Sequence, residues 1–193
     1  VCPYYNKPSQ KGLYSHYAQI AEISPIDIIL YNVPSRTAVN LNVSTVVLLA
    51  KKYPNIIGVK EASGDIGQCM DLFASCPSDF MIISGDDKMT FPIMLLGGVG
   101  VISVQAMALP LLFSKMVELT LKNDINAARG YHYKLCESVD LLYIDGNPSG
   151  IKEALYWLGI CSSNHVRLPL VKMKKENAQK LKLLIEKSLD TKK

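Results

Sequence analysis

Four short, nearly all-apolar runs recur along the chain, at residues 28–31, 56–60, 80–84 and 99–104, and amphipathic stretches lie between them. No other feature restricts the fold as much. Before the first run, Leu13, His16, Tyr17, Ile20 and Ala21 fall at helical spacing, and Pro25 stops that helix. A second helix is predicted from near Ser44, with Val46, Val47, Leu49 and Ala50 as its buried face. Residues 66–74 and 89–96 read as further helices, the latter ended by Gly97-Gly98. Strands alternating with helices mean βα units and a parallel sheet. Strands apolar on both faces fit a sheet covered on both sides.

Two architectures meet that pattern, a doubly wound sheet and a (β/α)8 barrel. A G-x-G-x-x-G fingerprint after the first strand would favour the dinucleotide fold, and none is present. Gly97-Gly98-Val99-Gly100 precedes a strand and reads as a turn. Four full strands are predicted, with a further strand end at Val1-Cys2. A closed barrel needs eight. Beyond the last strand the chain reads as helix only, over 109–121, 125–142, 150–158 and 177–189.

Composition narrows the function classes. Of 193 residues, 49% are apolar and 20% charged, an ordinary globular balance. The net charge of +4 comes partly from Lys172, Lys174, Lys175, Lys180, Lys182, Lys187, Lys192 and Lys193. No aromatic residues interleave with these lysines, so they read as a solvated helix face and not as a nucleic-acid surface. The five cysteines (Cys2, Cys69, Cys76, Cys136 and Cys161) show no CxxC spacing, which argues against a disulfide framework or a zinc site and fits a reducing cytoplasm. His16, His132 and His165 match no ligand spacing. No apolar run approaches the roughly 20 residues of a membrane helix, and no signal peptide is visible. The chain opens on Val1-Cys2-Pro3 without a Met, which reads as processing or as part of something longer.

Lys60 ends an otherwise apolar strand. Alternation puts Ile56, Gly58 and Lys60 on one face and Ile57 and Val59 on the other. The C-terminal ends of parallel strands are where barrel active sites lie. A desolvated lysine that loses its proton becomes a nucleophile toward a carbonyl. The strand alone reads first as a lysine that emerges into solvent or pairs with Glu61. Tyr31 ends another apolar strand, and residues 32–37 then form a loop bearing Arg36. A phenol there can relay a proton, and a guanidinium can grip a carboxylate. Taken singly, these also read as a core tyrosine and a surface arginine. Tyr4-Tyr5-Asn6 is a weaker signal of the same kind, and Asn147-Pro148-Ser149-Gly150 reads as a helix start.

Several segments, in order, carry a resemblance. Pro3-Tyr4-Tyr5-Asn6-Lys7-Pro8-Ser9-Gln10, followed by Gly12-Leu13-Tyr14, resembles the tyrosine-bearing segment of the dihydrodipicolinate synthase family. Leu30-Tyr31-Asn32-Val33-Pro34-Ser35-Arg36-Thr37 resembles its second tyrosine segment, and Ile57-Gly58-Val59-Lys60-Glu61-Ala62 the strand of its Schiff-base lysine. Ser84-Gly85-Asp86-Asp87, Gly100-Val101-Ile102-Ser103-Val104 and Gly146-Asn147-Pro148 fit later segments. Motifs in compatible order outweigh the bland reading of each residue alone.

The resemblance implies a (β/α)8 TIM barrel, here N-terminally truncated, over residues 1–122, with a C-terminal helical region over 123–193. It implies that Lys60 condenses with pyruvate and that the enamine attacks L-aspartate 4-semialdehyde, giving 4-hydroxy-tetrahydrodipicolinate in lysine and diaminopimelate biosynthesis. Tyr31 would transfer protons, and Tyr5 would join the relay from a neighbouring subunit of a homo-oligomer, a dimer or tetramer. Arg36 would bind the semialdehyde carboxylate, and the backbone at Gly85 and Ile102 would line the pyruvate pocket. Tyr4 matches a position near the lysine feedback site of some members. No metal or organic cofactor, nucleic acid or membrane is expected. Two departures stand out. Ala38 follows Thr37 where the family usually has Gly. The family's Gly-Thr-Thr-Gly-Glu segment, whose threonines serve the relay and the pyruvate carboxylate, has no counterpart in these residues. A sister lyase such as N-acetylneuraminate lyase, or an inactive relative acting by subunit association, are the alternatives; Arg36 favours the synthase pattern.

Overall fold

The computed structural model describes residues 1–190. By compactness the chain forms two units, Val1–Ile102 and the residues from Ser103 onward.

The first unit holds a parallel sheet of four strands in sequence order: β1 (Ile28–Asn32), β2 (Ile56–Glu61), β3 (Met81–Ser84) and β4 (Gly100–Val101). Five helices accompany them: α1 (Gln10–Ile23), α2 (Pro34–Thr37), α3 (Val43–Lys52), α4 (Ile66–Ser75) and α5 (Thr90–Leu95). The register sets Tyr31 beside Lys60 and Lys60 beside Ile83, and one residue further on Asn32 beside Glu61 and Glu61 beside Ser84. Period-two alternation then sorts side chains between the faces. Leu30, Val59 and Ile82 are buried in one core with Leu13, Tyr17, Val46, Leu49, Leu72 and Ile93 of the helices. Burying each such aliphatic side chain contributes about 1.5–3 kcal/mol. Ile29, Tyr31, Lys60, Met81 and Ile83, which alternate with them, are only half-buried or exposed.

Local chemistry explains the element ends. The Ser9 hydroxyl accepts from the Gly12 N–H to start α1, and the Asp65 carboxylate accepts from the Gln68 N–H to start α4. Pro34 occupies the first turn of α2, where its missing N–H costs nothing.

Five expectations change. Residues 34–37, predicted as loop, form the short helix α2. In α1 the buried face is Leu13, Tyr17, Ala18 and Ala21, so His16 and Ile20 turn outward. Ile56 joins Val59 in the core, because the β1–β2 register skips a residue between Ile28 and Ile29. The strand predicted over 99–104 keeps only Gly100 and Val101. At the chain start no strand forms, although the Cys2 N–H donates to the Tyr31 carbonyl at 3.2 Å.

The second unit is helical: a 3-10 turn (Gln105–Met107), α6 (Pro110–Leu121), α7 (Ile125–Tyr143), α8 (Ser149–Trp157) and α9 (Lys175–Asp190). α7 packs against α6, α8 and α9. Gln105 donates to the Leu135 carbonyl and the Ser138 hydroxyl, both at 2.7 Å, tying the 3-10 turn to α7. α6 also packs against the 3-10 turn. Ion pairs Lys180–Glu176 and Lys187–Glu137 dress the outside of this unit. Lys192 and Lys193 of the expected lysine run lie outside the described residues.

Candidate active site

The ends of β1, β2 and β3 bring three predicted residues together. Lys60 Nζ stands over the Tyr31 ring, 4.2 Å from its centre. The side chains meet because the strands pair Tyr31 with Lys60 directly and both point to the half-open face. Gly85 follows β3, and its N–H donates to the Glu61 carbonyl at 2.7 Å. A Cβ on Gly85 would lie 2.8 Å from Lys60 Cε and 2.9 Å from both Lys60 Cγ and the Ala62 Cβ. Glycine at this position is therefore what leaves room for the lysine side chain. The turn beyond Gly85 is fixed by Ser84, whose hydroxyl donates to the Asp86 carbonyl at 2.9 Å, and by the Asp86 carboxylate, which accepts from the Lys88 and Met89 N–H groups.

The environment of Lys60 favours the free amine. Burial pushes its pKa below the ordinary lysine value, and the Asp87 carboxylate opposes this by favouring the cation. Asp87 is itself buried, at 5% exposure. The alternative pairing of Lys60 with Glu61 does not form. The Glu61 carboxylate, 1% exposed, takes its hydrogen bonds from Asn32, Ser63 and Gln68 instead. A neutral amine beside a phenol and an open backbone turn can add to a ketone and form an imine.

The other predicted residues stand apart. Arg36 sits in α2 with its side chain exposed. Ile102 extends from β4, its N–H donating to the Ser84 carbonyl at 2.9 Å, and its side chain is half exposed. Tyr5 has a left-handed backbone (φ 69°) and is 88% exposed, and Tyr4 is 66% exposed. Among the described residues, no group of three or more His, Cys, Asp or Glu side chains is arranged to hold a metal ion. None of the five cysteines is in a disulfide. Burial raises the thiols of Cys2, Cys69 and Cys76, with Cys69 pushed up to about 12, so none of these three competes as a nucleophile. No helix among the described residues is long and apolar enough to cross a membrane.

Sequence reasoning gave no role to Asn32, Asn40 and Gln68 and weighed Glu61 only as an ion-pair partner of Lys60; the four hydrogen-bond to one another behind the site. The available signal was position: Asn32 and Glu61 each follow a predicted site residue at a strand end, and alternation turns them to the helix-covered face.

Consecutive βα units with an amine at the C-terminal strand ends define an arc of a (β/α)8 barrel, with the barrel's usual placement of chemistry. The chain belongs to the dihydrodipicolinate synthetase family, which matches residues 1–188. It is 51% identical over 183 residues to a 4-hydroxy-tetrahydrodipicolinate synthase of Flavobacterium psychrophilum, covering 95% of this chain and 62% of that protein. The synthase of Archaeoglobus fulgidus is 45% identical over 190 residues, covering 98% of this chain and 65% of its own length. The crystal structure of dihydrodipicolinate synthase from Thermotoga maritima superposes with a TM-score of 0.94 at 36% identity, over 96% of this chain and 64% of that one. The chain thus spans somewhat less than two thirds of the length of these relatives.

Proposed function

We propose that this chain carries the Schiff-base portion of a 4-hydroxy-tetrahydrodipicolinate synthase, with Lys60 as the amine. One observation supports this above others: Lys60 Nζ lies against the Tyr31 ring at 4.2 Å, in a partly desolvated pocket that Gly85 keeps open. The neutral amine adds to the keto carbon of pyruvate. Loss of water gives the imine, and loss of a methyl proton gives the enamine. The enamine carbon attacks the aldehyde of L-aspartate 4-semialdehyde. The amino group of that substrate then attacks the imine carbon and expels Lys60, closing the ring.

In this scheme the Tyr31 phenol carries protons at the keto carbon, and the backbone of Gly85 and Ile102 borders the pyruvate. Arg36, exposed in α2, is free to bind the semialdehyde carboxylate. Tyr5, exposed on the opening segment, is free to enter the relay of a neighbouring subunit in a homo-oligomer. The lysine itself is the covalent group, and no further cofactor is invoked. Free cysteines fit a cytoplasmic setting, and residues 1–122 correspond to the barrel portion.

The experiment is pyruvate with borohydride, followed by mass spectrometry of the peptides. The expected outcome is a reduced pyruvate adduct on Lys60, absent from Lys60→Ala. An unmodified Lys60 in the folded protein rules the proposal out. Consumption of the semialdehyde, set against N-acetylmannosamine as a competing aldehyde, then reports the second substrate.

A further inference from the structure

The face of the sheet opposite Lys60 carries a buried polar cluster that the chemistry above does not use. Glu61 is 1% exposed and Asn32 is fully buried. The Glu61 carboxylate accepts from Asn32 Nδ2 at 3.0 and 3.3 Å, from the Ser63 N–H at 2.6 Å and from Gln68 Nε2 at 3.0 Å. Asn40 Oδ1 accepts from Asn32 at 2.8 Å, and Asn40 Nδ2 donates to Gln68 Oε1 at 2.7 Å. Asn32 Oδ1 accepts from the Leu41 N–H at 3.0 Å. Every partner of the buried carboxylate is a neutral donor with defined direction, so the cluster holds geometry instead of neutralising charge.

Two of its members sit one residue beyond the site on their strands. Asn32 follows Tyr31, and Glu61 follows Lys60. The backbone continues the clasp: the Ala62 N–H donates to the Asn32 carbonyl at 2.9 Å and the Gly85 N–H to the Glu61 carbonyl at 2.7 Å. Through Asn40 and Leu41 it also anchors the segment that follows α2, which bears Arg36. The ends of β1, β2 and β3 are therefore fixed together directly behind Tyr31, Lys60 and Gly85.

We propose that Glu61 and Asn32, backed by Gln68 and Asn40, are positioning residues that hold the Tyr31–Lys60 pair in reacting geometry from the far side of the sheet. This rests on the Schiff-base role proposed above. If it holds, loosening the cluster does two things that general destabilisation of the fold does not. It misplaces the amine in molecules that remain folded, and it admits water to an amine whose pKa burial lowers.

The test uses the full chain as wild type, Glu61→Gln and Asn40→Ala, with the folded fraction followed by circular dichroism. Imine formation with pyruvate is quenched by borohydride at timed intervals, across pyruvate concentration and pH. The expected result for Glu61→Gln is a saturating rate lowered about tenfold to a hundredfold per folded molecule. Asn40→Ala, which removes no charge, lowers the rate by less and displaces the pH midpoint upward toward that of an exposed lysine. Variants that fold and keep the wild-type rate and midpoint overturn the positioning role while leaving the Schiff-base role standing. Should Glu61→Gln not fold, Asn40→Ala, whose side chain is only half-buried, decides by the same criterion. Absence of any adduct in the wild type removes the Schiff-base role and this proposal with it.

Discussion

At the scale of single residues, desolvation governs Lys60. Removing water disfavours the ammonium, so the neutral, reactive amine persists to lower pH than in an exposed lysine. Imine formation with pyruvate should rise with pH through a midpoint below the ordinary lysine value of about 10.4. Asp87 acts in the opposite sense by favouring the cation. Asp87→Asn should therefore move that midpoint further down, and an unchanged or raised midpoint in the borohydride quench would contradict the assigned coupling. Gly85 works by occupying no space. In Gly85→Ala the methyl group meets Lys60 Cε at 2.8 Å, so adduct yield should fall severalfold with little loss of helix signal. Ala38 shows the converse. It ends α2 in the left-handed region, at φ 56°, which costs an L-residue about 1–2 kcal/mol and glycine almost nothing. Ala38→Gly should accordingly stabilise the chain by about 1 kcal/mol, read as a higher urea midpoint.

At the scale of elements, the site depends on how closely strands approach. Gly58 faces β3, and a Cβ there would lie 2.6 Å from the Met81 carbonyl oxygen and 2.9 Å from the Met81 Cβ. Backbone cannot yield as a flexible side chain does, so Gly58→Ala must push β2 from β3. A loss of about 1–3 kcal/mol is expected, together with weaker adduct formation, because Lys60 rides on the same strand. A variant as stable as wild type in urea would show that the two strands are not held at this spacing. In the second unit Gly150 plays a similar part, since a Cβ on it would collide with the Leu142 backbone where α8 meets α7. These glycines sit in a strand and in a helix, where propensity alone disfavours them. Close approach is the reason they are there.

At the scale of the whole molecule, the net charge is a mild +4, and lysines gather toward the end of the sequence. Three of the late lysines, Lys180, Lys182 and Lys187, pair with Glu176, Glu186 and Glu137 on exposed faces, and such pairs are each worth about 0–1 kcal/mol. With so mild a charge, and with no aromatic residue interleaved among those lysines in the sequence, the chain should show no retention on duplex DNA at physiological salt. A salt-steep, specific shift in an electrophoretic assay would reverse that reading. Family membership extends over residues 1–188, so both compact units belong to one evolutionary design, although the proposed chemistry lies wholly in the first.

Much of this was legible in the linear chain. Period and length separated strands from helices, because each strand needs only a few apolar residues and each helix face repeats at a different spacing. Lys60 and Tyr31 stood out because they end apolar strands, Gly85 entered only through the resemblance of Ser84-Gly85-Asp86-Asp87 to the family, and it took the ordered motifs together to outweigh the bland reading of each. Folding supplied what one-dimensional spacing does not encode. The skipped register at Ile28 moved Ile56 into the core, and the pairing of β1 with β2 set Tyr31 beside Lys60. Asn32, Asn40, Glu61 and Gln68 look like unrelated polar residues until strand pairing and helix packing bring them within hydrogen-bonding distance. Their hydrogen bonds depend on direction and separation across elements, and only the assembled backbone fixes those.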